Sequence, residues 1–191
     1  MSKIGMIIKC GRNDMRETEY LPDQPLPAEA AELYRNSFPE NERIPLERLI
    51  AWSGTDRKMF LYYDKDIFIG LSYVFLFEDM VYLGYLAVEE RLRNQGYGSR
   101  ILKILQERYR DRRILIDIEE LDPDAENSLE REKRMDFYIR NGFVSSGVFY
   151  RFYDVDYELL SCHGRVNKED FQRLVRKHWG PAANNAVYRE K

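Results

Sequence analysis

Three apolar, aromatic-rich runs fill the middle of the chain, in KMFLYYDKDIFIGLSYVFLFEDMVYLGYLAV (Lys58–Val88). Only the short polar breaks DKD (Asp64–Asp66) and ED (Glu78–Asp79) separate them. Breaks that short admit hairpins alone, so three antiparallel strands are predicted. The third run, VYLGYLAV (Val81–Val88), passes through EERLRNQGYGS into RILKILQERY (Arg100–Tyr109). There Ile101, Leu102, Leu105 and Tyr109 share one face at helical spacing. RILIDIEE (Arg113–Glu120) reads as a buried strand. It must run parallel to Val81–Val88, because a whole helix connects the two.

The flanks are plainer. IGMIIKC (Ile4–Cys10) reads as a first strand ended by Gly11. The polar stretch Arg12–Pro27 carries three prolines and reads as a loop. Pro27 suits a first helical turn, and Ala28–Phe38 supplies a helix that Pro39 ends. Ile44 and Pro45 open a short second helix to about Trp52. After the parallel strand, DPDAENS is a loop and Leu129–Gly142 a helix with Gly142 as its cap. Phe143–Ser161 gives two strands. Asn167 caps a last helix, KEDFQRLVRKHW, and the tail from Gly180 reads as loose.

This order predicts an α+β (mixed α/β) domain, with a mostly antiparallel mixed sheet and helices on both faces. Residues 1–161 are assigned to that domain and 162–191 to a C-terminal helical extension, packed on it or on a partner. A homodimer is one such arrangement.

Composition narrows the function. The chain has 191 residues, 44% hydrophobic and 33% charged, with a formal net charge of -3. That is an ordinary globular composition, and no strongly basic face points to nucleic acid. ERYRDRR (Glu107–Arg113) reads as the solvated end of a helix. No apolar run reaches the ~20 residues of a membrane span, and no signal-peptide pattern opens the sequence. Cys10 and Cys162 stand far apart, so a reducing cytoplasm is expected. His163 and His178 have no partners at metal-ligand spacing, so no metal is expected.

The chemistry concentrates at RNQGYGS (Arg93–Ser99), where a strand hands over to a helix. The first N–H groups of a helix lack intrahelical partners, and the helix dipole puts positive charge at the same place. Glycine lets a phosphate approach the backbone, and Arg93 adds a permanent charge. The plainer reading of Gly96 and Gly98 is a tight turn. Two rival motifs fail. A nucleoside-triphosphate loop needs Lys-Ser/Thr after its second glycine, and here Ser99-Arg100 follows Gly98. A dinucleotide fingerprint needs a third glycine, and position 101 is Ile.

The longer run LAVEERLRNQGYGSRIL resembles motif A of the GNAT superfamily of N-acetyltransferases, Gln/Arg-x-x-Gly-x-Gly/Ala, filled by Arg93, Gly96 and Gly98. FYIRNGF (Phe137–Phe143) resembles the family's second signature, an aromatic-Tyr pair before Gly-Phe. The resemblance covers roughly Lys58 to Leu160, with family-like helices at Ala28–Trp52. It implies a central splayed parallel strand pair that admits acetyl-CoA, here Val81–Val88 and Ile114–Glu119.

The resemblance also implies roles. The pantetheine arm pairs with Leu86, Ala87 and Val88. The pyrophosphate sits on the amides of Arg93, Asn94, Gln95, Gly96, Tyr97, Gly98 and Ser99. The N–H near Leu86 polarises the thioester carbonyl and stabilises the oxyanion. Tyr138 stands where the family often keeps the acid for the departing thiolate; its plainer role is packing. Some relatives use a glutamate early in the first strand, and the matching position here is close to Tyr82. Glu119 and Glu120 are then candidate bases, with water as an alternative. Arg131 and Arg134 replace residues that relatives often carry before the tyrosine, and Arg134 is placed to meet a phosphate.

The expected function is N-acetyl transfer from acetyl-CoA to a primary amine of a small molecule or peptide, by direct attack. The alternative is a CoA-binding sensor or interaction module of the same fold. Glu119, Glu120, Asp122, Asp124 and Glu126 would attract a cationic amine. SFPENERIP (Ser37–Pro45) would lie over the acceptor pocket.

Overall fold

A computed structural model describes residues 15–40 and 43–189. The strand expected at Ile4–Cys10 lies outside the described residues. The chain forms two compact units, through both of which β3 and β4 pass. The first holds the described residues up to Phe75, together with Leu83–Arg108; the second holds Leu76–Tyr82 and the described residues from Tyr109.

In the first unit, β1 (Met15–Glu19), β2 (Arg57–Asp64), β3 (Ile67–Phe77) and β4 (Met80–Val88) are neighbours in that order. β1 and β3 both lie antiparallel to β2. The helices are α1 (Ala28–Ser37), α2 (Leu46–Trp52) and α3 (Tyr97–Arg108). Pro27 and Pro45 occupy the N-cap positions of α1 and α2. The two-residue breaks inside the meander turn through left-handed residues, Lys65 (φ 55°) and Glu78 (φ 51°). Such turns match the twist of the strands they join. α3 buries Ile101, Leu102 and Leu105.

In the second unit, β5 (Arg113–Glu119) lies parallel to the start of β4, with Met80 opposite Arg113 and Tyr82 opposite Leu115. The order continues through β7 (Val155–Cys162) and β6 (Val144–Phe152) to β8 (Ala186–Arg189). α4 (Ser128–Arg140) ends at Gly142, whose φ of 85° is the left-handed conformation expected of a cap. α5 (Lys168–Trp179) starts at Asn167, whose side chain accepts the Asp170 N–H at 2.8 Å. The eight strands are mixed in direction, as expected for the fold class.

Three expectations are corrected. Met15–Glu19, inside the supposed loop, is a strand. Its Met15 and Glu17 point inward, and the buried carboxylate hid the alternation. The tail from Gly180 is ordered by pairing as β8 against β6. The end of α3 is not wholly solvated: Arg110 and Asp111 are exposed, but Arg108 turns inward to Glu17.

The Glu17 side chain is 1% exposed and that of Arg108 16%. Arg108 Nε donates to Glu17 Oε2 at 2.7 Å, Arg108 Nη2 donates to the same oxygen, and the guanidinium lies 4.8 Å above the Phe60 ring. Burial pushes the Glu17 carboxyl up, and Arg108 pulls against it. Removing one partner strands the other charge. Arg108→Ala is therefore expected to destabilise by ~3–5 kcal/mol in chemical denaturation, and the double replacement Glu17→Leu/Arg108→Met by clearly less.

Candidate active site

In the first unit the end of β4 is held close to β3. A Cβ placed on Gly70 would come 2.2 Å from the Ala87 carbonyl oxygen. Only a residue without a side chain fits there. Just beyond, the Glu89 N–H donates to the Ile69 carbonyl at 2.9 Å. Leu86 and Val88 keep partial exposure while Ala87 is buried.

The chain then makes a single 3-10 turn, Glu90–Leu92, and enters the glycine loop. Asn94 and Gly96 both adopt left-handed backbone, at φ 60° and 81°. Alternation of this kind turns successive N–H groups toward one side. A Cβ on Gly96 would meet nothing within 4 Å, so the space beside it is open. The Gly96 carbonyl accepts the Arg100 N–H at 3.1 Å, which makes Gly96 the helix cap. The Tyr97, Gly98 and Ser99 amides are thus the first of α3 and lie outside its hydrogen-bond ladder.

Side chains around this loop are pinned. Arg93 Nε donates to the Val88 carbonyl at 3.2 Å, and Gln95 Nε2 to the Arg91 carbonyl at 3.0 Å. The Tyr97 hydroxyl donates to Asp64 Oδ2 at 2.9 Å, and that bond to the carboxylate pushes the phenol up. Arg100 reaches the same oxygen at 3.5 Å and stacks 4.8 Å over the Tyr97 ring. Its Nε is buried and lacks a hydrogen-bond partner. Open space at a glycine and free helix amides fit a diphosphate.

Also in the first unit, Tyr34, Phe38 and Tyr85 form a cluster with centroids 4.8–5.4 Å apart. The Ile44 N–H donates to the Tyr85 hydroxyl at 2.9 Å, and the Tyr34 hydroxyl donates to the Ile44 carbonyl at 2.7 Å. The segment after α1 is thereby tied to β4 at the residue before Leu86.

The second unit holds the remaining candidates. Tyr138 of α4 is buried, with Phe137 and Phe143 edge-on at 5.0 and 5.5 Å. Burial pushes its phenol up. Glu119 is engaged by Arg131 at 3.0 Å, Arg134 at 2.9 Å and Asn127 Nδ2 at 3.2 Å. Glu120 pairs with Arg189 at 2.6 Å, and its carbonyl accepts from Arg131 at 2.8 Å. Arg131 and Arg134 thus serve the end of β5. The acidic run is less negative than its sequence suggests.

Sequence reasoning passed over one group. Asp117, between Ile116 and Ile118 on β5, accepts the Tyr82 hydroxyl on Oδ1 at 2.6 Å and the Tyr150 hydroxyl on Oδ2. The available signal was the charge itself, in the middle of a run that otherwise reads as buried.

Residues 55–145 match the family model of the acetyltransferase (GNAT) domain. No curated protein matches the chain. Among solved structures, the fold is similar to a protein of Bacteroides thetaiotaomicron assigned to the GNAT acetyltransferases. The two share 27% identity, with a TM-score of 0.62, over 78% of this chain and 85% of that one. It is also similar to a GNAT family acetyltransferase of Elizabethkingia anophelis with acetyl-CoA bound, at 14% identity and a TM-score of 0.55, over 79% and 99%. A third is an aminoglycoside 6′-N-acetyltransferase complexed with coenzyme A, at 19% identity and a TM-score of 0.61, over 76% and 94%.

The contact at Gly70 makes one substitution informative. Gly70→Ala drives a methyl group into the β4 backbone at Ala87, where neither strand has a flexible side chain to yield. It is expected to lower stability by ~1–3 kcal/mol, read from thermal or chemical denaturation.

Proposed function

We propose that the domain containing residues 55–145, which match the acetyltransferase (GNAT) domain model, moves an acetyl group from acetyl-CoA to a primary amine of a small molecule or peptide. The observation that carries this reading is the glycine loop. Gly96 is left-handed and open on its free side, and it caps a helix whose first amides are unpaired. A diphosphate is the ligand this backbone suits. The Elizabethkingia relative binds acetyl-CoA, and another relative acts on an aminoglycoside amine, which supports both halves of the reaction.

In this reading the amides of Arg93, Asn94, Gln95, Gly96, Tyr97, Gly98 and Ser99 hold the pyrophosphate. Leu86, Ala87 and Val88 pair with the pantetheine arm, and Arg93 releases the Val88 carbonyl to permit it. The Leu86 N–H polarises the thioester carbonyl. The amine attacks directly, and Tyr138 returns a proton to the departing thiolate. Burial keeps Tyr138 protonated across neutral pH, so its proton moves only as the C–S bond breaks and charge peaks on sulfur. Glu119 and Glu120 would act as bases only after leaving their guanidinium partners. The segment Ser37–Pro45, whose Ile44 is tied to Tyr85, sets acceptor choice.

Acetyl-CoA at a hundredfold excess over its Kd is expected to stabilise the protein by about 2.7 kcal/mol, seen as a rise in Tm. Gly98→Glu is expected to abolish that rise, because it places a carboxylate among the phosphate-binding amides. An unchanged rise would refute the assigned cradle. Tyr138→Phe is expected to lower kcat about a hundredfold while leaving acetyl-CoA affinity intact. Free-thiol release across an amine panel separates the enzyme from a CoA sensor, which would bind and not turn over.

A further inference from the structure

The face of β5 that carries Arg113, Leu115, Asp117 and Glu119 is opposite the one lined by Ile114, Ile116 and Ile118. Asp117 sits there among rings from several elements. Tyr82 comes from β4, Tyr150 from β6 and Tyr157 from β7, with Tyr150 and Tyr157 stacked at 5.4 Å. α5 covers them with Phe171, 6.1 Å from Tyr82 and 5.3 Å from Tyr150, and with Trp179, 5.6 Å from Tyr82. Tyr188 of β8 lies 5.7 Å from Tyr150.

What sets Asp117 apart is its lack of a cation. Glu17, Glu119 and Glu120 each hold a guanidinium. No Lys, Arg or His side chain pairs with Asp117 among the described residues. Two phenol hydroxyls satisfy its oxygens instead, and it keeps partial solvent access. A carboxylate that meets only neutral donors, in aromatic surroundings, has no paired cation to displace when an ammonium arrives. Its remaining lone pairs can take a proton.

We propose that Asp117, held by Tyr82 and Tyr150, binds the acceptor as an ammonium and takes its proton, directly or through the Tyr82 hydroxyl. This rests on the acetyltransferase reading given above. The balance closes. The ammonium gives up two protons: Asp117 takes the first and passes it to solvent, while Tyr138 protonates the sulfur and its phenol is restored by the second proton, released from nitrogen as the amide forms. The N–C bond forms from the amine lone pair, and the C–S pair leaves with the thiolate. The titratable groups facing Asp117 are Tyr82, Tyr150, Tyr157 and Tyr138, with Arg134 beside Tyr138. From α5 the facing rings, Phe171 and Trp179, do not titrate. His178 is engaged with the Leu76 carbonyl at 3.1 Å.

The test compares wild type and Asp117→Asn with two amines. One is the best alkylamine from the panel, protonated at assay pH. The other is trifluoroethylamine, already neutral there. Asp117→Asn is expected to keep the acetyl-CoA Tm shift and to lose 10²–10³-fold in kcat/KM with the alkylamine. It should lose under tenfold with trifluoroethylamine. Tyr150→Phe and Tyr82→Phe keep the packing and decide the matter if Asp117→Asn does not fold. Each removes one of the two hydroxyls that hold the carboxylate, so each is expected to lose about tenfold or more in kcat/KM with the alkylamine and clearly less with trifluoroethylamine. Equal losses with both amines, in Asp117→Asn or in the phenylalanine variants, would overturn the proposal and leave Asp117 a packing residue. Failure of wild type to bind acetyl-CoA or to release thiol would be seen first, and would bring down the acetyltransferase reading itself.

Discussion

The free main-chain N–H groups at the start of α3 are the constraint on which the functional reading depends. They are donors that the helix cannot use internally. Their orientation is set by Gly96 in a left-handed conformation and by Asn94 before it. The strand that leads to them is fixed equally firmly, since Gly70 lets β3 approach Ala87 to within a distance no side chain tolerates. Arg100, Tyr97 and Asp64 then lock the first helical turn to the end of β2. Strand end and helix start are thus positioned by sterics and by short polar contacts, not by loop sequence alone.

The carboxylates show a second ordering principle. A charge taken out of water needs a partner, and the partner decides what the charge can do next. Glu17 is closed off by Arg108 and acts as a structural tie between β1 and α3. Glu119 and Glu120 are occupied by arginines that hold the end of β5 to α4 and β8. Asp117 alone among these four is held by hydroxyls with no guanidinium beside them. A hydroxyl leaves the net negative charge in place, whereas a guanidinium cancels it.

Much of the fold was legible because its signals are local. The short breaks at Asp64–Asp66 and Glu78–Asp79 forced hairpins. Asn167 and Gly142 marked helix ends by their own chemistry, and Gly96 marked the turn that caps α3. The misreadings all involve partners distant in sequence. Met15–Glu19 looked like loop because Glu17 occupies a buried position that only Arg108, on α3, makes tolerable. The tail looked loose because β8 exists by virtue of the edge of β6. For Glu119 and Glu120, likewise, nothing local announced that Arg131, Arg134 and Arg189 converge on them. Asp117 was passed over, because its phenol partners come from β4 and β6 and leave no mark in the sequence around it.

The C-terminal segment gains meaning from this comparison. By sequence, α5 was an appendage outside the family resemblance. In the second unit it supplies Phe171 and Trp179 against Tyr82 and Tyr150, the two residues that hold Asp117. A hydroxyl–carboxylate bond strengthens as water is excluded from it, because the local dielectric falls. The rings of α5 are what exclude water on that side. The electrostatic character of a β5 residue is therefore set in part by a helix more than fifty positions later in the chain, and no reading of the acetyltransferase motifs alone would connect them.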